Sequence, residues 1–448
     1  MPVPIVAGLL VVWEAVFGPV LTRPSFANLF VVLTGWVLTD APVHTITEAL
    51  LATGVAGRRH HERHHRLFSR GSWDPDHVGH WLVHRLLKLA GPGAVRIVID
   101  DTVAPKKGPH VFGLGTHVDA VRSTKRYRVF VFGHCWVVLA VLVRVPFSRR
   151  AWALPVLFRL YRNLKECEKN KAAYVKKTEL AREMLDVFCR WVPDRRIEVT
   201  ADAAYCNDTI TRGLQARVVL FGAMRPDAVL TALPPPRSGM GRPRVRGDLL
   251  PKPGALAKDD SMPWQTCETH VYGRTTMMRY KTLCAQWYRA CGVQLLRIVV
   301  VETTTGSVPF RVFFCTDATV EVRVLAETYA ERWGIEVFFR DAKQLLGFAD
   351  SPAHTANAVL RMAPFAGILY STLVLWFAEG ASTSPLATSL VRPWYTHKRD
   401  QSFADVLRAA RKGLRGVNVF DPACYFENLA HLKTVREPPG DHAADMAA

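Results

Sequence analysis

The segment "RIVIDDTVAPKKG", residues 96–108, decides how the rest of the chain is interpreted. Residues 96–100 have the composition of a buried strand, and the strand ends in two adjacent carboxylates, Asp100 and Asp101. On a strand, neighbouring side chains point to opposite faces, so only one of the two acids can face a given partner. The segment therefore predicts an acidic site at the end of a core strand.

The composition indicates a globular protein with an anionic partner. The chain has 448 residues, of which 49% are hydrophobic, enough for sizeable cores and two to four domains. Lysine and arginine number 58 against 39 acids, a net charge of +19. An excess of this size favours DNA, RNA or an anionic membrane surface as partner. The nine cysteines include no C-x-x-C pair, which argues against a disulfide framework or zinc ribbon and favours the cytoplasm.

The N-terminal stretch "IVAGLLVVWEAVFGPVLT", residues 5–22, is apolar enough to suggest a signal peptide or a membrane span. Glu14 interrupts it, no lysine or arginine precedes it, and Gly18 with Pro19 stops it short of the roughly 20 residues that a span needs. A buried helix is the preferred interpretation. A membrane-surface protein remains as an alternative.

Hydrophobic periodicity divides the chain into five parts. Residues 1–92 are predicted to form helices with a basic cluster, "GRRHHERHHRLFSR", at 57–70. Strands are predicted at 96–100, at 126–145 as two neighbouring strands, at 195–205, 216–223, 294–303 and 310–317, with long helices at 163–192 and 320–346. The predicted division is a helical N-terminal DNA-binding domain (1–92), a first core part (93–224), a strand-rich insertion (225–300), a second core part (301–375) and a helical C-terminal region with a disordered tail (376–448).

Acids at two strand ends and on one helix form the candidate site. Two adjacent strands would bring Asp100 or Asp101 close to Asp202, and paired carboxylates require a cation, because like charges resist joint ionisation. Oxygen ligands without a matching His and Cys set favour Mg²⁺ or Mn²⁺. The predicted helix supplies a third acid through Tyr329, Arg332, Glu336 and Lys343, whose spacings of three, four and seven share one face. An ordinary amphipathic helix would also place polar residues on one face.

The residue types and spacing in this predicted helix are a more specific indication of function than its amphipathicity. Tyrosine, arginine, glutamate and lysine separated by two, three and six residues resemble the signature of DDE transposases of bacterial insertion sequences. "IDDT" is similar to the first-aspartate motif of that group, and "TADAAYCND" is similar to the second. The resemblance covers roughly residues 95–350, and the first 90 residues also resemble the N-terminal region of such proteins.

This resemblance implies an α/β fold with an RNase H-like mixed sheet flanked by helices. It implies Asp101, Asp202 and Glu336 as a triad for two Mg²⁺ ions, which Mn²⁺ can replace. A threonine directly after the motif's aspartate selects Asp101, and a threonine one position later selects Asp100. Both acids therefore stay open as catalytic residues and metal ligands, with Asp101 preferred. Tyr329 and Arg332 would hold phosphates near the cleaved end, and Lys343 would hold the backbone further along.

The resemblance further implies double-stranded DNA as partner, both transposon ends and target, with a homodimer pairing the two ends. The protein would be cytoplasmic and nucleoid-associated, without a membrane partner. The rivals are a catalytically inactive DNA-binding protein derived from a transposase, and a hydrolase with a carboxylate pair that would leave the basic surface unexplained.

Several basic and aromatic residues outside the acidic site are candidates for DNA contact. Lys106 and Lys107 are expected either to steer the DNA backbone toward the metal site or to be ordinary turn lysines. Trp287 or Trp264 is expected either to stack on a DNA base or to belong to the core. His60, His61, His64 and His65 have i, i+4 spacings that can hold zinc, although the basic cluster favours phosphate contact. The arginines proposed for that contact are Arg58, Arg59, Arg63 and Arg66.

Overall fold

A computed structural model describes residues 4–417 except 109, 120–121, 125, 237–241, 304–308, 349, 388–393, 395–397 and 416. The tail predicted to be disordered from Glu437 lies outside the described residues. Five helices begin the chain: α1 (Pro4–Phe17), α2 (Arg23–Leu38), α3 (Ile46–Ala52), α4 (Glu62–Ser69) and α5 (Pro75–Ala90). Asp74 caps α5 by accepting a hydrogen bond from the Asp76 N–H, and Pro75 suits the first helical position.

Strands and helices then alternate. The central part contains β1 (Val95–Pro105), β2 (Gly115–Val118), β3 (Phe130–Arg144), β4 (Ala151–Tyr161), α6 (Leu164–Lys169), α7 (Lys177–Trp191), β5 (Ile197–Ala201), α8 (Asp208–Thr211) and β6 (Val218–Met224). Next come β7 (Leu230–Thr231), β8 (Leu249–Leu250), α9 (Pro253–Leu256), β9 (Gln265–Val271), β10 (Arg274–Gln286), α10 (Tyr288–Cys291), β11 (Leu295–Glu302) and β12 (Phe310–Cys315). The described chain closes with α11 (Val322–Glu331), α12 (Trp333–Leu345), α13 (Ala356–Ala378) and α14 (Phe403–Leu414).

One mixed sheet organises the molecule. Its central strands lie in the order β4, β3, β1, β5, β6, with β3 antiparallel to both neighbours and β1, β5 and β6 parallel. Three antiparallel strands followed by two parallel ones form the RNase H-like arrangement. The predicted α/β class, a mixed sheet flanked by helices, is therefore confirmed.

The strands after residue 225 extend this sheet. β12 pairs with β6, β11 pairs with β12, and β10 pairs with β11, all antiparallel, while β9 folds back on β10 as a hairpin. The region predicted to be a strand-rich insertion does contain strands, and its long strand β10 joins the common sheet. The proposed domain boundaries remain predictions.

Most of the helices share one core with the sheet, whereas Leu325 of α11 belongs to a second, smaller cluster with β6, β11 and β12. Buried side chains from Leu9 in α1 to Leu414 in α14 belong to a single hydrophobic cluster. α1, α4, α5 and α14 contact α13, and α13 packs on β4. The prediction that the apolar N-terminal stretch is a buried helix is confirmed, since Trp13, Val16 and Phe17 are fully buried.

Among the described helices, α13 alone is long and apolar enough to cross a membrane by length and composition. Of its most apolar window, 89% is buried within the fold, as in the core helix of a globular protein. Ser371 in its middle donates a hydrogen bond to the Pro155 carbonyl of β4.

Three predicted elements are wrong in detail. Residues 126–145 do not form two strands but contribute the single strand β3, and its partner β4 was not predicted. Pro155 in β4 argues against a strand, yet it lies at the register shift next to the Leu139/Ala140 step of β3, where an interrupted ladder accommodates proline.

The two long predicted helices are each divided. The helix expected at 163–192 ends at Lys169 and resumes at Lys177, and Lys171 between them has a left-handed φ of 50°. The helix expected at 320–346 is divided at Arg332, which separates α11 from α12. This division lies between Tyr329 and Glu336, within the predicted site.

Candidate active site

The strand register determines which acids can meet. β1 and β5 run parallel with Ile99 beside Ala201, so Asp100 and Asp202 are the next residues on adjacent strands. Residues level with each other on neighbouring strands share a face, and neighbouring strands lie about 4.8 Å apart. Asp202 then begins a short 3₁₀ helix, Ala203–Tyr205, and accepts a hydrogen bond of 2.7 Å from the Ala203 N–H. The register thus aligns Asp100, rather than Asp101, with Asp202.

Arg332 connects this strand end to Glu336. Its guanidinium donates one hydrogen bond of 2.7 Å to Asp100 Oδ2 and another of 2.7 Å to Glu336 Oε1. Tyr329 lies beside the same guanidinium, which is 5.9 Å from the ring centroid. The structure therefore brings together three of the four signature residues of α11 and α12 with one of the two candidate aspartates.

Burial dominates the electrostatics of Asp100. Its side chain is 17% exposed. Desolvation raises the pKa of Asp100 to about 7, although the Arg332 guanidinium acts in the opposite direction, and the negative charge of Asp202 adds to the rise. Burial also raises the pKa of Tyr329, and Asp202 contributes there too. The Arg332 guanidinium alone is thus insufficient to hold the pKa of Asp100 at its ordinary value.

Asp101 lies in a different environment on the opposite face of β1. Its carboxylate accepts a hydrogen bond from the Lys177 ammonium of α7, and the Cys135 thiol of β3 is 3.8 Å away. Burial raises the pKa of Cys135 to about 12, with the Asp101 charge adding to the effect. The contact between Lys177 and Asp101 is not predicted from the sequence, because Lys177 is one of many lysines in a basic stretch.

Lys343 is directed at β1. Its ammonium donates hydrogen bonds to Thr102 Oγ1 (2.6 Å) and to the Val103 carbonyl (2.8 Å). Burial lowers the pKa of Lys343. Lys343 therefore ties α12 to the strand that carries Asp100. Of the two lysines beyond the strand, Lys106 is half-buried and Lys107 is exposed.

The basic cluster of the N-terminal helices is distributed over a turn and α4. Arg58, Arg63 and Arg66 are exposed and Arg59 is half-buried. Arg66 pairs with Glu62 one turn earlier at 2.6 Å. His64 is buried, and its Nδ1 lies 3.1 Å from the Asn28 carbonyl, a structural contact.

The aromatic candidates contact protein groups. Trp287 is half-buried and packs edge-on against Phe314, with ring centroids 5.4 Å apart. The Trp264 ring lies 4.8 Å from the ammonium of Lys281, a buried lysine that donates to the Leu256 and Asp259 carbonyls. Both tryptophans thus take part in local packing.

The acidic residues suit a hard divalent cation. Within the described part of the chain, no group of three or more His, Cys, Asp or Glu residues is already arranged to hold a metal. The oxygens of Asp100 and Glu336 are instead bridged by Arg332, with Asp202 level with Asp100. These carboxylates match the ligand preference of Mg²⁺ and Mn²⁺.

The strand order and directions are those of an RNase H-like sheet, with acids at the ends of β1 and β5. A family model described as DDE superfamily endonuclease matches residues 17–285, well over half of the chain. The chain belongs to this family. The matched region includes Asp100, Asp101 and Asp202 and ends before α11 and α12.

Among solved structures, the chain is similar to a piggyBac transposase determined by cryo-electron microscopy as a synaptic complex with hairpin DNA. The identity is 10% and the TM-score 0.44, with 99% of this chain and 86% of that chain covered. No curated protein matches the chain in sequence.

Proposed function

We propose that the protein is a DNA transposase that binds terminal inverted repeats and moves an insertion sequence by a cut-and-paste route. The observation that carries this proposal is the convergence of Asp100, Glu336 and Arg332 beside Asp202 in a member of the DDE superfamily endonucleases. The net charge of +19 supports a polyanionic substrate.

Asp100, Asp202 and Glu336 would hold the metal ions in this proposal. A pair of divalent ions held there would supply activation of water or a 3′-hydroxyl and stabilisation of the leaving oxygen during in-line displacement at a phosphodiester. We favour Asp100 over Asp101, the residue preferred from the sequence, because Asp100 shares its face with Asp202 and its cation with Glu336. The contact between Asp101 and Lys177 would instead fix the strand end from behind.

Arg332 has two roles in the proposed cycle. Without metal it forms ion pairs with Asp100 and Glu336. If these acids held a divalent ion, the Arg332 guanidinium would be available to contact a phosphate through two parallel N–H groups. Tyr329 lies beside it and can orient the same phosphate.

Binding of transposon ends would extend beyond the acidic residues. The exposed Arg58, Arg63 and Arg66 around α4, together with Arg59, are the proposed backbone contacts. Lys106 and Lys107, which come directly after β1, are proposed as further contacts to the DNA backbone. A homodimer would pair two ends before cleavage, and the protein would act in the cytoplasm on nucleoid DNA. Trp287 remains the candidate for stacking on a base, provided that it leaves its contact with Phe314.

A nicking assay on the DNA that flanks the gene tests this proposal. A duplex that carries the flanking inverted repeats should be nicked at the repeat boundary with Mg²⁺ or Mn²⁺ and not in EDTA. Asp202→Asn should bind the duplex without nicking it, because one metal ligand is lost while the basic surface remains. Equal nicking by Asp202→Asn, or nicking in EDTA, would reject the proposal.

A further inference from the structure

A large cleft lies beside the acidic site, on another face of α11 and α12. Its volume is about 1040 Å³, and its walls are the tip of the β9–β10 hairpin, the turn between β3 and β4, the α11–α12 pair and the start of α14. Glu331, Gly334 and Val337 line it. At 3.6 residues per turn, the mean direction of these three residues is almost half a turn away from that of Tyr329, Arg332 and Glu336. The cleft is therefore separate from the carboxylate site.

The hairpin that closes the cleft is bonded to α11 on one side and lies close to the β3–β4 turn on the other. The His270 N–H of β9 donates a hydrogen bond of 2.8 Å to Glu327 of α11. At the hairpin tip, a Cβ added to Gly273 would lie 3.7 Å from the Arg150 side chain of the β3–β4 turn. The hydrogen bond to Glu327 and the closeness of the β3–β4 turn to the hairpin tip define the cleft in the folded chain.

The walls of the cleft are strongly basic. Seven arginines and one lysine line it, against five acids. The acids already have partners: Glu331 pairs with Arg144 at 2.8 Å, Asp400 with Arg149 at 3.1 Å, and Asp341 with Arg340 at 2.9 Å. Asp405 pairs with Lys398 and Arg408, and Glu327 accepts the His270 N–H. The acids thus leave a surplus of positive charge.

Three of the cleft arginines are available for an outside anion. Arg150, Arg274 and Arg399 are exposed and have no ion pair within the described part of the chain. They come from the β3–β4 turn, the hairpin and the segment before α14, so they approach the cleft from three sides. An extended polyanion carries enough phosphates to contact all three.

Two exposed aromatic rings accompany these charges. Tyr272 at the hairpin tip is 54% exposed, and Trp333 at the start of α12 is 46% exposed. The hairpin turn has positive φ at both central residues, 54° at Tyr272 and 76° at Gly273. Asparagine, aspartate or glycine normally occupies the first of these positions, so tyrosine is a poor choice for the turn itself. Its presence favours a role for the exposed ring.

We propose that this cleft binds single-stranded DNA, with Arg150, Arg274 and Arg399 on the phosphates and Tyr272 and Trp333 stacked on unpaired bases. A basic groove combined with exposed aromatic side chains is the arrangement that binds single strands without sequence preference. A duplex would present its phosphates but would keep its bases away from the rings. The choice of DNA over RNA rests on the proposed function.

Fluorescence anisotropy with a labelled 20-nucleotide oligo-dT, in EDTA so that no cleavage occurs, tests the inference. The variant Arg150→Ala/Arg274→Ala/Arg399→Ala should lose about tenfold or more in affinity, and its log–log salt slope should fall by about two, since each phosphate contact in a single strand contributes about 0.7. The matched control is Lys88→Ala/Lys165→Ala/Arg190→Ala, which removes three exposed cations elsewhere and should keep most of the affinity. An equal loss in both triple variants would overturn the inference.

Tyr272→Asn tests the stacking separately, because asparagine suits the turn and leaves the hairpin intact. It should weaken oligo-dT binding about fivefold or more while leaving the affinity for a blunt duplex unchanged. Unchanged oligo-dT affinity, or an equal loss for the duplex, would contradict a single-strand site. Oligo-U that binds more tightly than oligo-dT would overturn the assignment to DNA. Absence of nicking by the original protein would refute the proposed function alone, since the oligonucleotide-binding assays require no cleavage.

Discussion

Replacing Asp100 by asparagine should stabilise the metal-free protein at alkaline pH. Burial raises the pKa of Asp100 from its ordinary 3.8 to about 7. The folded protein therefore binds more protons than the unfolded chain between these values, and stability falls as the pH rises from about 4 toward 7. The contribution of protonated Asp100 to stability is fully present below its ordinary pKa of 3.8. Asparagine has no charge to desolvate, so the variant should lack this loss.

The size of the effect follows from the same shift. About three pKa units at 1.36 kcal/mol each give an upper limit of about 4 kcal/mol. Asp100 Oδ1 accepts the Asp101 N–H and Oδ2 accepts the Arg332 guanidinium, so the single amide oxygen in Asp100→Asn can keep only one of these bonds, and its N–H₂ group faces the other donor. This loss reduces the expected net gain to about 1–3 kcal/mol at pH 8. A gain in stability with a loss of activity is typical of residues held for function.

Urea denaturation in EDTA at pH 5 and pH 8 measures the effect. The free energy of unfolding of the original protein should fall between these pH values by more than that of Asp100→Asn. Asp101→Asn is the matched control: it should destabilise by about 1–2 kcal/mol, because Lys177 loses its carboxylate partner at a partly exposed position. Parallel pH dependence in the original protein and Asp100→Asn would refute the reasoning.

Three further predictions concern the helix residues and the metal. Arg332→Gln should tighten Mn²⁺ binding by about tenfold in the absence of DNA, because the guanidinium no longer competes for Asp100 and Glu336; an unchanged titration by calorimetry would argue against competition. Mn²⁺ affinity of the original protein should rise with pH up to about 7 and then level off, since Asp100 must lose its proton to bind; electron paramagnetic resonance at several pH values tests this, and a flat profile would exclude it. Lys343→Ala should lower the free energy of unfolding by about 1–3 kcal/mol, because two hydrogen bonds to β1 disappear; unaltered urea stability would show that these bonds are unimportant.

The strand ends and the helix signature could be predicted because their signals are local. An apolar run that ends in acids marks β1, and a similar run marks β5. The spacing of Tyr329, Arg332 and Glu336 is preserved although the helix divides at Arg332, because Arg332 retains helical backbone angles of −50° and −32°. The helical face therefore continues across the division.

The choice between Asp100 and Asp101 could not be made from the sequence. It depends on the β1–β5 register and on Arg332, which is 232 residues away from Asp100. Lys177 has no distinguishing local signal, since only the fold brings it to Asp101. β4 was missed because Pro155 weakens the local strand signal, and only the fold shows that β4 lies at the edge of the sheet with Pro155 beside the register shift, where proline is tolerated.

Cleavage by the Glu336→Gln variant is the most direct test of the central claim that these carboxylates hold catalytic metal. The side chains are nearly isosteric, and the Gln amide oxygen can still accept the Arg332 hydrogen bond, so fold and DNA binding should be preserved. With Mg²⁺ and an inverted-repeat duplex, the original protein should nick the strand, and Glu336→Gln should bind the duplex equally well and leave it intact. Nicking by Glu336→Gln at the rate of the original protein would contradict the account.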